Sequence, residues 1–177
     1  MTHDPMAERK FKVLHSLSGL PQKMLGARGC DNVAELVLHE LANDKCFNFV
    51  RAAYLVDNPD FDCLKGVAGF AAQESYRPNG SDAWKELDSF TYHVQAAPFN
   101  QKVRGFIRPS FRRRGASDKE IAGALAGELG MQQHAFHIWD MRNDNHGLLV
   151  YEPVTEDAHD EQDIANGFSL LSFCPVF

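Results

Sequence analysis

The chain has no excess of basic charge, no long apolar run and no regular cysteine spacing, and each absence removes a class of function. It carries 18 Lys+Arg against 24 Asp+Glu, a net charge of -6. That balance argues against general affinity for nucleic acid or for an anionic membrane surface. No stretch approaches the ~20 apolar residues that a membrane span requires. Residues 1–12 are polar and contain no apolar signal core. The four cysteines, Cys30, Cys46, Cys63 and Cys174, form no C-x-x-C pair and match no zinc pattern. The expectation is a cytoplasmic protein with reduced thiols. Internal repeats and low-complexity segments are absent too.

What is there is an ordinary globular composition, with 44% hydrophobic and 24% charged residues. A chain of 177 residues suits a single domain spanning 1–177. Its 13 phenylalanines predict a core rich in aromatic rings. The positive charge is clustered: Lys102, Arg104, Arg108, Arg112, Arg113 and Arg114 lie close together on an acidic background. Local positive charge of this kind suits a small anionic ligand better than a polymer.

Residues 1–10 read as a frayed start, and 10–25, interrupted by Pro21, as a strand or a short helix. Asp31 reads as a cap for a helix carrying Val33, Leu36, Val37 and Leu41 at helical spacing. Residues 47–56 and 63–72 then form a hairpin around the turn residues Asp57, Asn58, Pro59 and Asp60. Gly66 and Gly69 in the return strand predict a bulge or close backbone approach. Residues 76–88 read as a loop, and 90–94 and 103–107 as short strands. Ser117 and Glu120 have the spacing of a capping box, followed by Ile121, Leu125 and Leu129 on one helical face and Gly130 as the stop. Residues 135–141 alternate as a strand, 142–145 form a loop, and 148–151 are a short apolar run, helix or strand. The acidic stretch 156–163 reads as solvent-exposed, and 167–173 as a final strand.

This order predicts a mixed α/β fold, with a sheet flanked by helices and a strand–helix–strand crossover over 103–141. At the start of that crossover, a strand ends in Pro109 and Phe111. Arg112, Arg113, Arg114 and Gly115 make a sharp turn, and a capped helix follows. Gly115 admits close backbone approach. The amides of residues 113–117, at a positive helix end, form an expected phosphate cradle. Arginine side chains add charge-assisted hydrogen bonds.

Pro109, Phe111, Arg112, Gly115 and Ser117 together resemble the acetyl-coenzyme A site of the GNAT superfamily of N-acetyltransferases. Arg112 takes the Arg/Gln position of that motif and Gly115 its glycine. Ser117 stands where glycine or alanine is usual. The likeness extends over roughly residues 50–152, with Gly69-Phe70 resembling an earlier strand and Tyr151-Glu152 a later one. It implies a mostly antiparallel central sheet with an acyl-coenzyme A-binding crossover. It also implies acetyl transfer from acetyl-coenzyme A to an amine of a small molecule or a protein. Arg112, Arg113, Arg114, Gly115, Ala116 and Ser117 would bind the cofactor. A backbone N–H of Phe106 or Ile107 would polarise the thioester carbonyl. Asn145, or Asn143, would contact the pantetheine arm, and Tyr151 would protonate the departing thiolate. Glu74, His93, His137 and Asp140 are candidates for the base that takes the amine's proton.

Two other readings compete. Residues 33–70, a helix then a hairpin, also resemble the opening of non-catalytic small-molecule sensor domains of the GAF type, with 160–171 as their closing helix. A nucleic-acid or protein interaction module using the basic run is the third, and the negative net charge opposes it. His134 and His137 have no carboxylate or cysteine completing a metal set, so no metal is expected. The sequence does not decide between a monomer and a homodimer.

Overall fold

The computed structural model describes residues 5–80, 82–154 and 161–176. Eleven elements follow in chain order: α1 (Pro5–Gly26), α2 (Val33–Ala42), β1 (Phe49–Asn58), β2 (Cys63–Ala71), α3 (Leu87–Ala96), α4 (Pro98–Arg104), β3 (Ile107–Arg108), α5 (Asp118–Leu129), β4 (Ala135–Asp140), β5 (His146–Pro153) and α6 (Glu161–Ser169). Short 3-10 turns cover Ala72–Glu74, Ala83–Lys85, Arg112–Arg114 and Leu170–Phe173. The strands form one five-stranded sheet in the order β3-β2-β1-β5-β4. Every pairing in it is antiparallel.

Strand alternation sends side chains to two separate cores. Ala52, Tyr54 and Val56 of β1, with Leu149 and Tyr151 of β5, pack under α1, α2, α3 and α6. Ala53 and Leu55, with Leu148 and Val150, pack under α4 and α5. Helix α5 is held as its sequence demands. The Ser117 hydroxyl accepts from the Glu120 N–H, the Glu120 carboxylate accepts from the Ser117 N–H, and Gly130 ends the helix in the left-handed conformation at φ 76°. Gly66 and Gly69 bring α4 directly onto β2. A Cβ on Gly66 would lie 1.7 Å from the Val103 carbonyl oxygen. A register shift between Tyr54 and Leu55 marks the facing bulge.

Several expectations are corrected. Residues 90–94 lie in α3: Phe90 and Val94 are both buried four positions apart, a helical spacing that Phe90-Tyr92-Val94 imitates with period two. Of residues 103–107, the first two end α4, which Pro98 starts from its first turn, and only Ile107 is strand, opening the two-residue β3. Residues 167–173 are the end of α6 and a 3-10 turn, with Phe168 and Leu171 buried on one face. Two open readings are decided: of strand or short helix for 10–25, the helix forms, running through Pro21 within the longer α1, and of helix or strand for 148–151, the strand forms, as part of β5. The unit from β3 to β4 does not join neighbouring strands: four successive antiparallel pairings leave β3 and β4 pointing the same way, but on opposite edges of the sheet with three strands between them. Residues 1–4 of the frayed start and 156–160 of the acidic stretch lie outside the described residues.

Candidate ligand-binding cleft and the arginine-glycine turn

The turn at 112–117 sits at the tip of the β1–β2 hairpin, where upstream carboxylates hold it. Asp57, the last-but-one residue of β1, accepts from the Arg112 N–H at 3.2 Å. Asp62 accepts from the Ser110 N–H at 3.0 Å. Within the turn, the Arg113 N–H donates to Ser110 Oγ, those of Arg114 and Ala116 to the Phe111 carbonyl, and that of Gly115 to the Arg112 carbonyl. The Ser117 N–H donates to Glu120 Oε2 at 2.8 Å. Every amide from Arg112 to Ser117 therefore has an acceptor inside the chain. Gly115 adopts φ 76°, as a left-handed turn requires. Arg112 is paired with Asp118 at 2.9 Å, whereas Arg113 and Arg114 point to solvent with no partner among the described residues.

The other expected site residues are spread over the molecule. The Phe106 N–H donates to the Val103 carbonyl, and Ile107 pairs with Lys65 at the sheet edge. Asn145 joins the loop before β5, donating to the Arg142 carbonyl and accepting from Asn58. Tyr151 is buried against Phe49 and Phe168, and burial raises its pKa. Tyr151 pairs with Ala52, five positions along β1 from Asp57 where the turn docks, or about 17 Å at strand rise. His137 contacts the rings of Trp139 and Phe168, and burial lowers its pKa. Glu74 lies elsewhere, where its carboxylate accepts from the Phe99 N–H at the start of α4. His93 bonds to the Glu74 carbonyl, and Asp140 pairs with His146. The structure brings His137 and Tyr151 to one ring, Phe168, and joins neither to Glu74 or to the turn. Among the described residues, no group of three or more His, Cys, Asp or Glu is placed to hold a metal ion.

A concave space lies in a different part of the molecule. A cleft of about 440 Å3 opens between α2 and the segment 72–84, and its lining includes His39, Phe49, Phe70, Tyr76, Trp84 and Phe90. The His39 ring stands edge-on to both Phe70 and Phe90, with centroids 5.0 Å apart in each case. Its Nδ1 lies 2.8 Å from the Glu35 carbonyl oxygen one turn back along α2. Burial holds the imidazole down to about 4, so it is neutral near pH 7. The rim is polar and braced. Lys23 reaches Glu40 at 3.1 Å and Asp82 at 3.7 Å, and the Trp84 indole N–H donates to Glu40. Glu86 gathers the covering loop by accepting from the Tyr76 hydroxyl and from the N–H groups of Asn79 and Gly80. The hydrogen bond from Tyr76 is the main reason its carboxyl sits below the usual range.

No protein-family model matches this chain, and no curated protein or solved structure is detectably similar to it. The site must be judged on its own chemistry.

A second, larger cleft of about 560 Å3 lies at the start of α2, lined by Asn32 and Glu35 there and by Asn100, Gln101 and Arg104 of α4. Glu35, 1% exposed, accepts from Arg104 there at 2.6 Å. Burial raises the Glu35 pKa, and the guanidinium works in the opposite direction. Asn32 beside it is 2% exposed, and its Nδ2 has no acceptor among the described residues. Helix α2 is thus a wall shared by two clefts, and neither was expected from sequence. The signal available for the first was Tyr76 and Trp84 within a Pro/Asn/Gly-rich loop. Large rings in such a segment need something to cover.

Proposed function

We propose that the chain is a small-molecule sensor domain of the GAF type, binding its ligand in the aromatic cleft beside α2. The observation that carries this reading is the cleft itself: five aromatic rings and a neutral imidazole face one concave space with a braced polar rim. The order of elements agrees, since α2 precedes the β1–β2 hairpin and α6 closes the chain over the same core. The amides from Arg112 to Ser117 are already hydrogen-bonded within the chain, so the basic turn reads as a structural loop at the hairpin tip.

The rival proposal is an N-acetyltransferase using acetyl-coenzyme A. It requires those amides to exchange their internal acceptors for a pyrophosphate, at a net cost of about 1 kcal/mol for each bond not replaced. It also requires a base and an acid near the thioester. One experiment separates the two. Purified full-length protein is analysed by native mass spectrometry for a retained ligand and by thermal shift against aromatic small molecules and acyl-coenzyme A species. The sensor reading expects a retained compound or stabilisation by ring compounds, with no response to acyl-coenzyme A. Stabilisation by acetyl-coenzyme A that Gly115→Glu abolishes would overturn it.

A further inference from the structure

We infer that the cleft beside α2 is selective for planar ring compounds that present an N–H or O–H donor, because His39 offers them a lone-pair acceptor at its floor. This rests on the sensor reading and narrows its ligand. A backbone carbonyl only accepts, so the ring nitrogen 2.8 Å from the Glu35 oxygen must carry the hydrogen. His39 is neutral near pH 7, and a neutral imidazole has one hydrogen, which Nδ1 holds. Nε2 is then an unprotonated acceptor. It makes no hydrogen bond among the described residues. Because Nδ1 is tied back to α2, the ring edge bearing Nε2 faces away from the helix, among the cleft-lining rings of Phe70 and Phe90.

The surroundings set the rest of the ligand. Phe49, Phe70, Tyr76, Trp84 and Phe90 supply flat apolar surface, which favours a ring over an aliphatic chain. Beside Trp84 the rim charges are committed to one another: Lys23 lies between Glu40 and Asp82, while Asp44 and Lys45 also line the cleft and are exposed. A charged ligand seated beside Trp84 would have to break the Lys23 pairs. A neutral heteroaromatic or phenolic molecule meets the His39 acceptor without disturbing them.

The test uses the intact chain and paired probes that differ only in the donor: indole against 1-methylindole, and phenol against anisole. Affinities are read by isothermal calorimetry, with the Trp84 indole resonance in 1H–15N spectra reporting the place of binding. The expected result is that indole and phenol bind at least about ten-fold more tightly than their methylated partners, since the latter cover the Nε2 acceptor and leave it unpaired. His39→Phe should erase that preference while the rings still bind, and His39→Gln, which keeps an acceptor oxygen, should retain part of it. Equal binding of the members of each pair overturns the assignment of His39 and leaves the cleft standing. Failure of all four probes to bind or to move Trp84 overturns the cleft as well. If His39→Phe does not fold, the comparison within each pair on the wild-type chain decides alone.

Discussion

Protonating His39 should destabilise the folded chain by a few kcal/mol. Folding moves the imidazole pKa from 6.5 to about 4, chiefly through burial. The hydrogen bond to the Glu35 carbonyl and the nearby His93 act in smaller, opposite senses. Below 6.5 the unfolded chain takes up a proton that the folded chain refuses. The stability conferred by the neutral ring is therefore complete above 6.5 and is lost as pH falls towards about 4. At about 1.4 kcal/mol per pKa unit the whole effect is roughly 3 kcal/mol, of which about 2 kcal/mol is lost between pH 7 and pH 5. Other groups titrate in the same region with mixed signs. Glu35, raised by burial, works in the opposite sense, since its raised pKa favours folding in acid. Glu86 and Glu120, both lowered, lose their contributions as pH falls through the carboxylate range. A difference between two proteins removes these shared contributions. Urea unfolding of wild type and His39→Phe, followed by tryptophan fluorescence, is measured at both pH values. Wild type should lose about 2 kcal/mol more than the variant between pH 7 and pH 5. In a thermal melt this is a shift of about 4–8 °C for a chain of this size. Parallel pH profiles would refute the argument, since they would mean His39 titrates alike in both states and is not sealed in the wall of the cleft.

Four other changes probe the frame and the turn. Gly66→Ala sets a Cβ 1.7 Å from the Val103 carbonyl oxygen and must lift α4 from β2. A loss of about 3 kcal/mol or more is expected in urea unfolding. Gly127→Ala is the counter-case in α5, where a Cβ meets nothing within 4 Å, and should stabilise by about 0.5–1 kcal/mol. Ser117→Ala removes the capping box and should cost about 1 kcal/mol, seen as a lower melting temperature. Arg113→Ala combined with Arg114→Ala removes two exposed charges without partners among the described residues and should change stability by no more than about 0.5 kcal/mol. A large loss in that double variant would mean the turn is held by more than its own amides and Asp57.

The parts of the fold that could be read from sequence are those whose signals are local. The β1–β2 hairpin has turn residues at its tip. Helix α5 has Ser117, Glu120 and Gly130 at its ends. Strand β4 alternates over a short span. The misread segments are those where distant packing chose between two local options. Phe90, Tyr92 and Val94 fit a strand or a helix equally well until Phe90 meets His39 and Tyr76 on neighbouring elements. Residues 167–173 become helix and 3-10 turn because Phe168 packs on Phe47, Phe49 and Tyr151. The crossover was misplaced for the same reason. A strand, a helix and a strand in succession do not reveal that β3 joins β2 at one edge while β4 joins β5 at the other.

The turn at 112–117 carries the same lesson into function. A glycine at positive φ, a run of amides and a capped helix are the ingredients of a phosphate cradle. They are also the ingredients of a loop that closes on itself. What separates the two is whether the amides have acceptors of their own. Here the acceptors come partly from the turn and partly from Asp57 and Asp62, some fifty residues upstream and brought alongside by the hairpin. Asp57 is 2% exposed and keeps one carboxylate oxygen without a partner among the described residues. A buried negative charge beneath the Arg112 amide favours the positive turn above it and opposes a phosphate in the same place. Asp57→Asn tests this directly. It keeps an acceptor for the Arg112 N–H and removes the charge. If the carboxylate is what closes the turn to anions, the variant should bind inorganic phosphate or acetyl-coenzyme A more tightly than wild type by calorimetry. Unchanged, absent binding in both would show that the bonded amides alone are enough to close it.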